Sequence, residues 1–314
     1  MILLIFVLLV SSIFAYFIIA DYYNIIDKPN DRSSHKYITL RGGGIIFYIG
    51  ALLYFLFYGF SYPLFALGLT FIAIISFLDD IKTVNSKLRI LVHFSAMLLM
   101  FYDCGLYSRP WYFTLAALIV STGIINAYNF MDGINGITGG YSLVVMASFW
   151  YINNSITPFI DNNIIYVISL SLLVFNFFNF RKKAKCFAGD VGSVSIAFII
   201  VFLLGKLIVQ TQDLTYIIIL LVYGVDSILT IVHRIILKEN IFVAHRKHLY
   251  QIMSNELHIP HMYVSMVYMA VQIVVMTGYF VFKASSAWYF IFSATVLAII
   301  YISFMRKYYK LHVS

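Results

Sequence analysis

Long apolar stretches alternate with shorter polar ones along the whole chain. Eleven apolar runs stand out, at residues 2–20, 44–60, 62–78, 88–102, 111–128, 138–152, 163–180, 194–210, 214–232, 262–281 and 286–305. A helix crossing a hydrocarbon layer of about 30 Å needs roughly 20 apolar residues, and most of these runs approach that length. Period-two alternation does not persist over long stretches, which argues against a membrane β-barrel. The pattern predicts an all-α integral membrane protein, a polytopic bundle of about eleven transmembrane helices. Several runs are short, so two neighbours could merge or one could be re-entrant. The first run has no basic segment before it and no small-residue cleavage signal, and reads as a retained anchor. The longest polar stretch, roughly 233–261, is too short for a soluble domain, so residues 1–314 form a single domain.

Composition agrees: 62% of residues are hydrophobic and 11% charged. Charge adds orientation. If the N-terminus faces out, the inner loops carry all of the 21 lysines and arginines except Arg109, Lys206 and Lys283. The positive-inside rule therefore gives N-terminus out and C-terminus in. The net charge of +8 is mostly this topology, needs no nucleic acid, and would attract anionic membrane lipids. Cys104 falls on the outer side and Cys186 on the inner, so they are not expected to pair.

The unusual chemistry gathers at the inner ends of the runs. "SHKYITLRGGG" places His35 and Arg41 before three glycines, whose backbone could approach a ligand and hold an anion; a basic loop at a helix start reads the same way. "FLDDIKTVNSKLR" ends a run with Asp79 and Asp80. Acids at a helix C-terminus face the negative end of its dipole and ask for a cation, either a metal or a lysine such as Lys82 or Lys87. "NAYNFMDGING" spaces Asn126, Asn129 and Asp132 by three, a drifting stripe closed by Asp-Gly and Asn-Gly turns; such amides suit a nucleobase, a sugar or a metal shell. "CFAGDVGS" puts Asp190 between glycines at a helix start, as a cap or as a metal–phosphate seat. "AHRKHLYQ" supplies His245, Arg246, Lys247 and His248, better suited to phosphate than to a zinc protease, since HExxH is absent. Asp226, inside a run, is a functional candidate by position, with Arg234 two turns away on nearly the same face.

Four of the chain's 13 acids, Asp79, Asp80, Asp132 and Asp190, stand beside inner helix ends. Carboxylates suit Mg²⁺ together with substrate phosphate, the bases suit a diphosphate, and the bilayer suits a lipid co-substrate. With "RGGG", "DD", "NAYNFMDGINGI", "GDVGS" and "HRKHLYQ" in order, nearly the whole chain resembles the polyprenyl-phosphate N-acetylhexosamine-1-phosphate transferases, the MraY/WecA-like family. The motifs and the N-out topology look closer to its WecA branch, whose members start glycans such as O-antigen or capsule. The resemblance implies transfer of a sugar-1-phosphate from a UDP-amino-sugar, GlcNAc first, to undecaprenyl phosphate, with UMP leaving. It implies Mg²⁺ or Mn²⁺ and a site facing the cytoplasm at the bacterial inner membrane. By the same resemblance Asp79, Asp80 and Asp190 are catalytic, and Asp190 with Asn129 holds the metal. Asp132 and Phe187 line the nucleotide pocket, Lys87 contacts the diphosphate, and Arg246 and His248 belong to the histidine-rich loop. Asn126, His35 and Arg41 complete the substrate set. The oligomeric state is left open, a homodimer among the options.

Two motifs depart from the family pattern: Asn135 stands where a second acid is common, and the histidine loop has His245 in place of an aspartate and Tyr250 and Gln251 where histidines are common. A phosphate monoester is already about doubly charged at neutral pH, so charge neutralisation should outweigh base catalysis. Direct attack by the lipid phosphate is expected, with an aspartyl-phosphate route as the alternative. Of two rival classes, an ion-coupled transporter would run through Asp226 and the inner carboxylates. A CDP-alcohol phosphotransferase would need an acidic helix pattern that is missing.

Overall fold

The computed structural model describes residues 1–29, 34, 37–240 and 245–310. Its helices are α1 (Ile2–Tyr22), α2 (Ile45–Tyr58), α3 (Pro63–Ile81), α4 (Ser86–Asp103), α5 (Trp111–Met131), α6 (Ile137–Ser155), α7 (Asn162–Asn179), α8 (Gly189–Thr211), α9 (Leu221–Ile236), α10 (Leu249–Gln251), α11 (His261–Val281) and α12 (Ser286–Tyr308). Each expected run falls on a helix of its own, and no neighbours merge. The ninth run is split: Leu214–Leu220 is a 3₁₀ turn that passes directly into α9. Eight helical segments among the described residues are long and apolar enough to cross a membrane, so this is a multi-pass membrane protein. α2, with 14 residues, is shorter.

The helices are not equivalent. α8 is apolar all round, and 83% of its membrane window is buried inside the protein; it touches α2, α3, α4, α5 and α6. A helix without a polar face belongs in the centre. In α1, α5 and α12 the buried share falls to 22%, 17% and 17%, and their large apolar side chains face outward, as lipid-facing helices must. α9 turns an unusual stripe inward: Tyr223, Asp226, Ser227, Thr230 and Arg234 are all buried.

One pair of glycines brings the working end together. Cβ atoms built on Gly44 and Gly192 would meet the opposite Cα at 2.3 and 2.6 Å, so the start of α2 and the first turn of α8 touch backbone to backbone. The short antiparallel strands β1 (Ile26–Asp27) and β2 (Thr39–Leu40) form a small flap beside this contact, and Leu40 bridges to Cys186.

Candidate active site

The site is built where the last turn of α3 meets the first turn of α8. Asp80 sits at the C-terminus of α3, unfavourable for that helix, but its carboxylate lies on the N-terminus of α8. Oδ1 accepts from the Asp190 amide at 2.9 Å and Oδ2 from the Val191 amide at 2.9 Å. The positive end of one helix thus resolves the negative end of another. Arg41 Nε donates to Asp80 Oδ1 at 2.6 Å, and its guanidinium also reaches Asp190 at 3.5 Å. These two carboxylates raise the Arg41 pKa against the opposing effect of burial.

Asp79 is held separately. Its Oδ1 accepts from the Val84 amide at 2.7 Å and its Oδ2 from Arg89 at 2.5 Å; the same Arg89 nitrogen lies 3.7 Å from Asp190. Two arginines therefore bridge three carboxylates, Arg41 between Asp80 and Asp190, Arg89 between Asp79 and Asp190. The cation expected beside the acidic pair is neither Lys82 nor Lys87, both of which are exposed; it is arginine, from both sides. In the sequence Arg89 is one inner basic residue among many. Its signal was its position one turn into α4, after a short hairpin whose N-cap Asn85 accepts from the Lys87 amide, which folds it back over Asp79.

Two further expectations are corrected here. The Gly43 and Gly44 amides hold no anion: they donate to Phe187 O at 2.8 Å and Ala188 O at 3.0 Å, while Phe187 N donates to Leu40 O. The first amides of α8 are likewise taken by Asp80. Both glycine-rich motifs close the backbone around the acids and leave ligand binding to side chains.

Asn129, in the last turn of α5, donates to Asp190 Oδ1 at 3.1 Å and Ser193 Oγ at 3.3 Å. Asn126 does not join it: it is exposed a turn earlier and bonds to none of the acids. Asp132 caps the end of α5, half-buried. Desolvation, reinforced by the Asp190 and Asp80 charges and opposed by the Thr138 hydroxyl, pushes its pKa up to about 7. Between its ordinary value of 3.8 and 7 the folded protein keeps a proton that the unfolded chain has released, so stability falls as pH rises through that window. Asp132→Asn should match the wild type in thermal unfolding near pH 4 and exceed it at pH 7.5; equal melting temperatures at both pH values would refute the shift.

The departures at 135, 250 and 251 have structural reasons. Asn135 is buried and donates from Nδ2 to Arg181 O at 2.8 Å and Lys182 O at 3.4 Å, which an acid could not do. The next residue, Gly136, has φ of +85° and donates to Asn179 Oδ1 at 2.7 Å. Tyr250 donates to Phe130 O at 2.8 Å and fills the space over Gly133. Gln251 accepts from the His248 amide at 3.2 Å. The "HRKHLYQ" loop is thereby fastened to the end of α5, beside Asn129.

Within that loop His245 and His248 stack with ring centroids 5.1 Å apart and do not chelate: His245 Nδ1 accepts from the Lys247 amide, and His248 Nδ1 lies on Asp226. Arg246 and Phe187 are half-buried. His35 lies outside the described residues. As a metal seat the site is spare. Among the described residues no three acidic or imidazole groups form a cage. Asp190, the most exposed of the three bridged acids at 23%, offers a hard oxygen beside the Asn129 amide. One carboxylate plus substrate phosphate is a donor set that Mg²⁺ accepts.

Over 246 residues the chain is 27% identical to a probable undecaprenyl-phosphate N-acetylglucosaminyl 1-phosphate transferase of Bacillus subtilis, covering 72% of this chain and 68% of that protein. An undecaprenyl-phosphate α-N-acetylglucosaminyl 1-phosphate transferase of Yersinia pestis is 28% identical over 57% of this chain and 54% of its own length. The phospho-N-acetylmuramoyl-pentapeptide-transferase of Thermotoga maritima is 26% identical over 68% and 75%. The chain thus spans between about half and three quarters of these relatives. Residues 62–208, which hold Asp79, Asp80, Asn129, Asp132 and Asp190, match the model of glycosyl transferase family 4.

Proposed function

We propose that this protein transfers a sugar-1-phosphate from a UDP-sugar to undecaprenyl phosphate, releasing UMP, at the cytoplasmic face of the bacterial inner membrane. The observation that carries the reading is the convergence of Asp79, Asp80 and Asp190 with Arg41, Arg89 and Asn129 at one end of a membrane bundle. Soluble nucleotide and membrane lipid can both reach such a place. The donor is an N-acetylhexosamine-type sugar, GlcNAc first, and the product begins a surface glycan of the O-antigen or capsule kind. The basic inner loops support the N-out, C-in orientation.

The chain's own residues divide the work. Asp79 orients the lipid phosphate for in-line attack on the β-phosphorus, and the bond to the bridging oxygen breaks as UMP leaves. Arg41 and Arg89 trade part of their contact with the carboxylates for contact with the phosphates. Lys87 meets the diphosphate, while Asp132 and Phe187 border the nucleotide. Asp190 and Asn129 would hold Mg²⁺ or Mn²⁺, which when bound supplies positive charge to the diphosphate. An ion-coupled transporter fits less well, because Asp226 is saturated by protein donors and offers no ion path.

The test is a membrane assay with Mg²⁺, undecaprenyl phosphate and a panel of labelled UDP-N-acetylhexosamines. Label entering the lipid fraction with matching UMP release is expected. No lipid label and no UMP from any donor would overturn the proposal.

A further inference from the structure

α9 is tied to the histidine-containing loop at two points, both from its inward polar face. At the cytoplasmic end, buried Arg234 donates to Glu239 at 3.1 Å and to Asn240 O at 2.6 Å, and Glu239 also pairs with Lys247. Two turns deeper stands Asp226, whose carboxylate has side-chain exposure of 4%. It receives four hydrogen bonds: Oδ1 takes His248 Nδ1 at 3.2 Å, the Leu249 amide at 3.2 Å and Thr230 Oγ1 at 3.1 Å, and Oδ2 takes Tyr268 OH at 2.5 Å. A buried carboxylate is costly, and one so fully satisfied makes a rigid anchor. His248 is itself 2% exposed, and its other nitrogen, Nε2, is buried with no partner among the described residues. Its ring lies 6.2 Å from that of Phe130, the neighbour of Asn129.

We propose that Asp226 is the positioning residue of the transferase site: its carboxylate keeps a proton on His248 Nδ1, fixes the ring, and presents Nε2 to bound substrate. A carboxylate behind an imidazole sets both tautomer and orientation, as in hydrolase triads and behind metal-bound histidines. Asp226 touches no substrate; it acts through His248. The inference rests on the transferase reading for its consequence, and on geometry alone for the anchor.

Two experiments separate these. In the lipid-transfer assay, Asp226→Asn should lower kcat about 100-fold with KM for the UDP-sugar held within about twofold, since positioned proton donors and acceptors contribute on that order. His248→Asn should do the same, and the double variant should be no slower than His248→Asn. Wild-type kcat in Asp226→Asn, or fully additive losses in the double variant, would overturn the proposal. The second experiment needs no turnover and leaves Asp226 intact. His248→Asn keeps an N–H near the Nδ1 position, whereas His248→Leu does not. Hydrogen exchange at the Leu249 amide should stay slow in the first and quicken at least about tenfold in the second; equal protection in the two would refute the anchor. Protected exchange in a wild-type protein inactive towards every UDP-sugar would fail the transferase reading and leave the anchor standing.

Discussion

Asp190→Asn abolishes turnover, by about 10³-fold or more, while the protein remains folded. Three features make this the largest functional effect expected. Asp190 is the acid shared by both bridging arginines, the one that Asn129 supports, and the most exposed of the three. A phosphoryl transfer depends on placed charge, and removing one such group commonly costs about 10²–10³-fold; on the proposal that Asp190 seats the metal, the loss rises further. The fold should tolerate the change. The α8 N-terminus is capped by Asp80, not by Asp190, and the amide oxygen of asparagine can still accept from Asn129. Thermal unfolding in detergent should show a melting temperature unchanged or slightly raised, because one of three like charges is gone. UMP release above about a tenth of the wild-type rate would sink this assignment, as would the same Mg²⁺ dependence in both proteins.

Much of this could be read from the chain, and the exceptions have a common cause. Apolar runs without period-two alternation report helices, because lipid tolerates only helices and closed barrels, and each expected run does carry a helix. Acids are scarce in such a protein, so each one at a helix end was conspicuous; Asp79, Asp80 and Asp190 do meet. What the sequence hid was which hydrogen-bonding group faces which. Gly43, Gly44 and the first amides of α8 were each a sound anion site in isolation, and they bind one another's elements instead. Arg89 was indistinguishable from any inner lysine until the α3–α4 hairpin placed it over Asp79. Asp226 was visible as an acid within a span, yet its partner lies 22 residues on, in a loop whose fold no local pattern dictates. Asn135 was read as a missing acid, although its two donated bonds to the 181–182 carbonyls require an amide.

The second large effect should come from the neighbouring acid, and it should be of a different kind. Asp79 and Asp80 are adjacent in sequence, but the Asp80 side chain is 0% exposed, and both of its oxygens are engaged by two backbone amides and Arg41. Every partner is a donor. In Asp80→Asn one oxygen becomes an NH₂ group and is set against a donor in a space with no slack, since a Cβ on Gly189 would already lie 2.5 Å from Asp80 Oδ2. At least one bond is lost, an amide or the guanidinium is left unpaired, and the α2–α8 backbone contact loses its bracket. Breaking one partner of a buried ionic network costs about 3–5 kcal/mol; with Arg41 34% exposed, about 2–4 kcal/mol is the expected loss. Asp80→Asn should therefore melt well below the wild type and below Asp190→Asn, and lose activity because Asp190 is no longer held. If Asp80→Asn were inactive yet as stable as the wild type, Asp80 would have to act on the substrate itself. Its role as the cap that sets Asp190 in place would then be wrong.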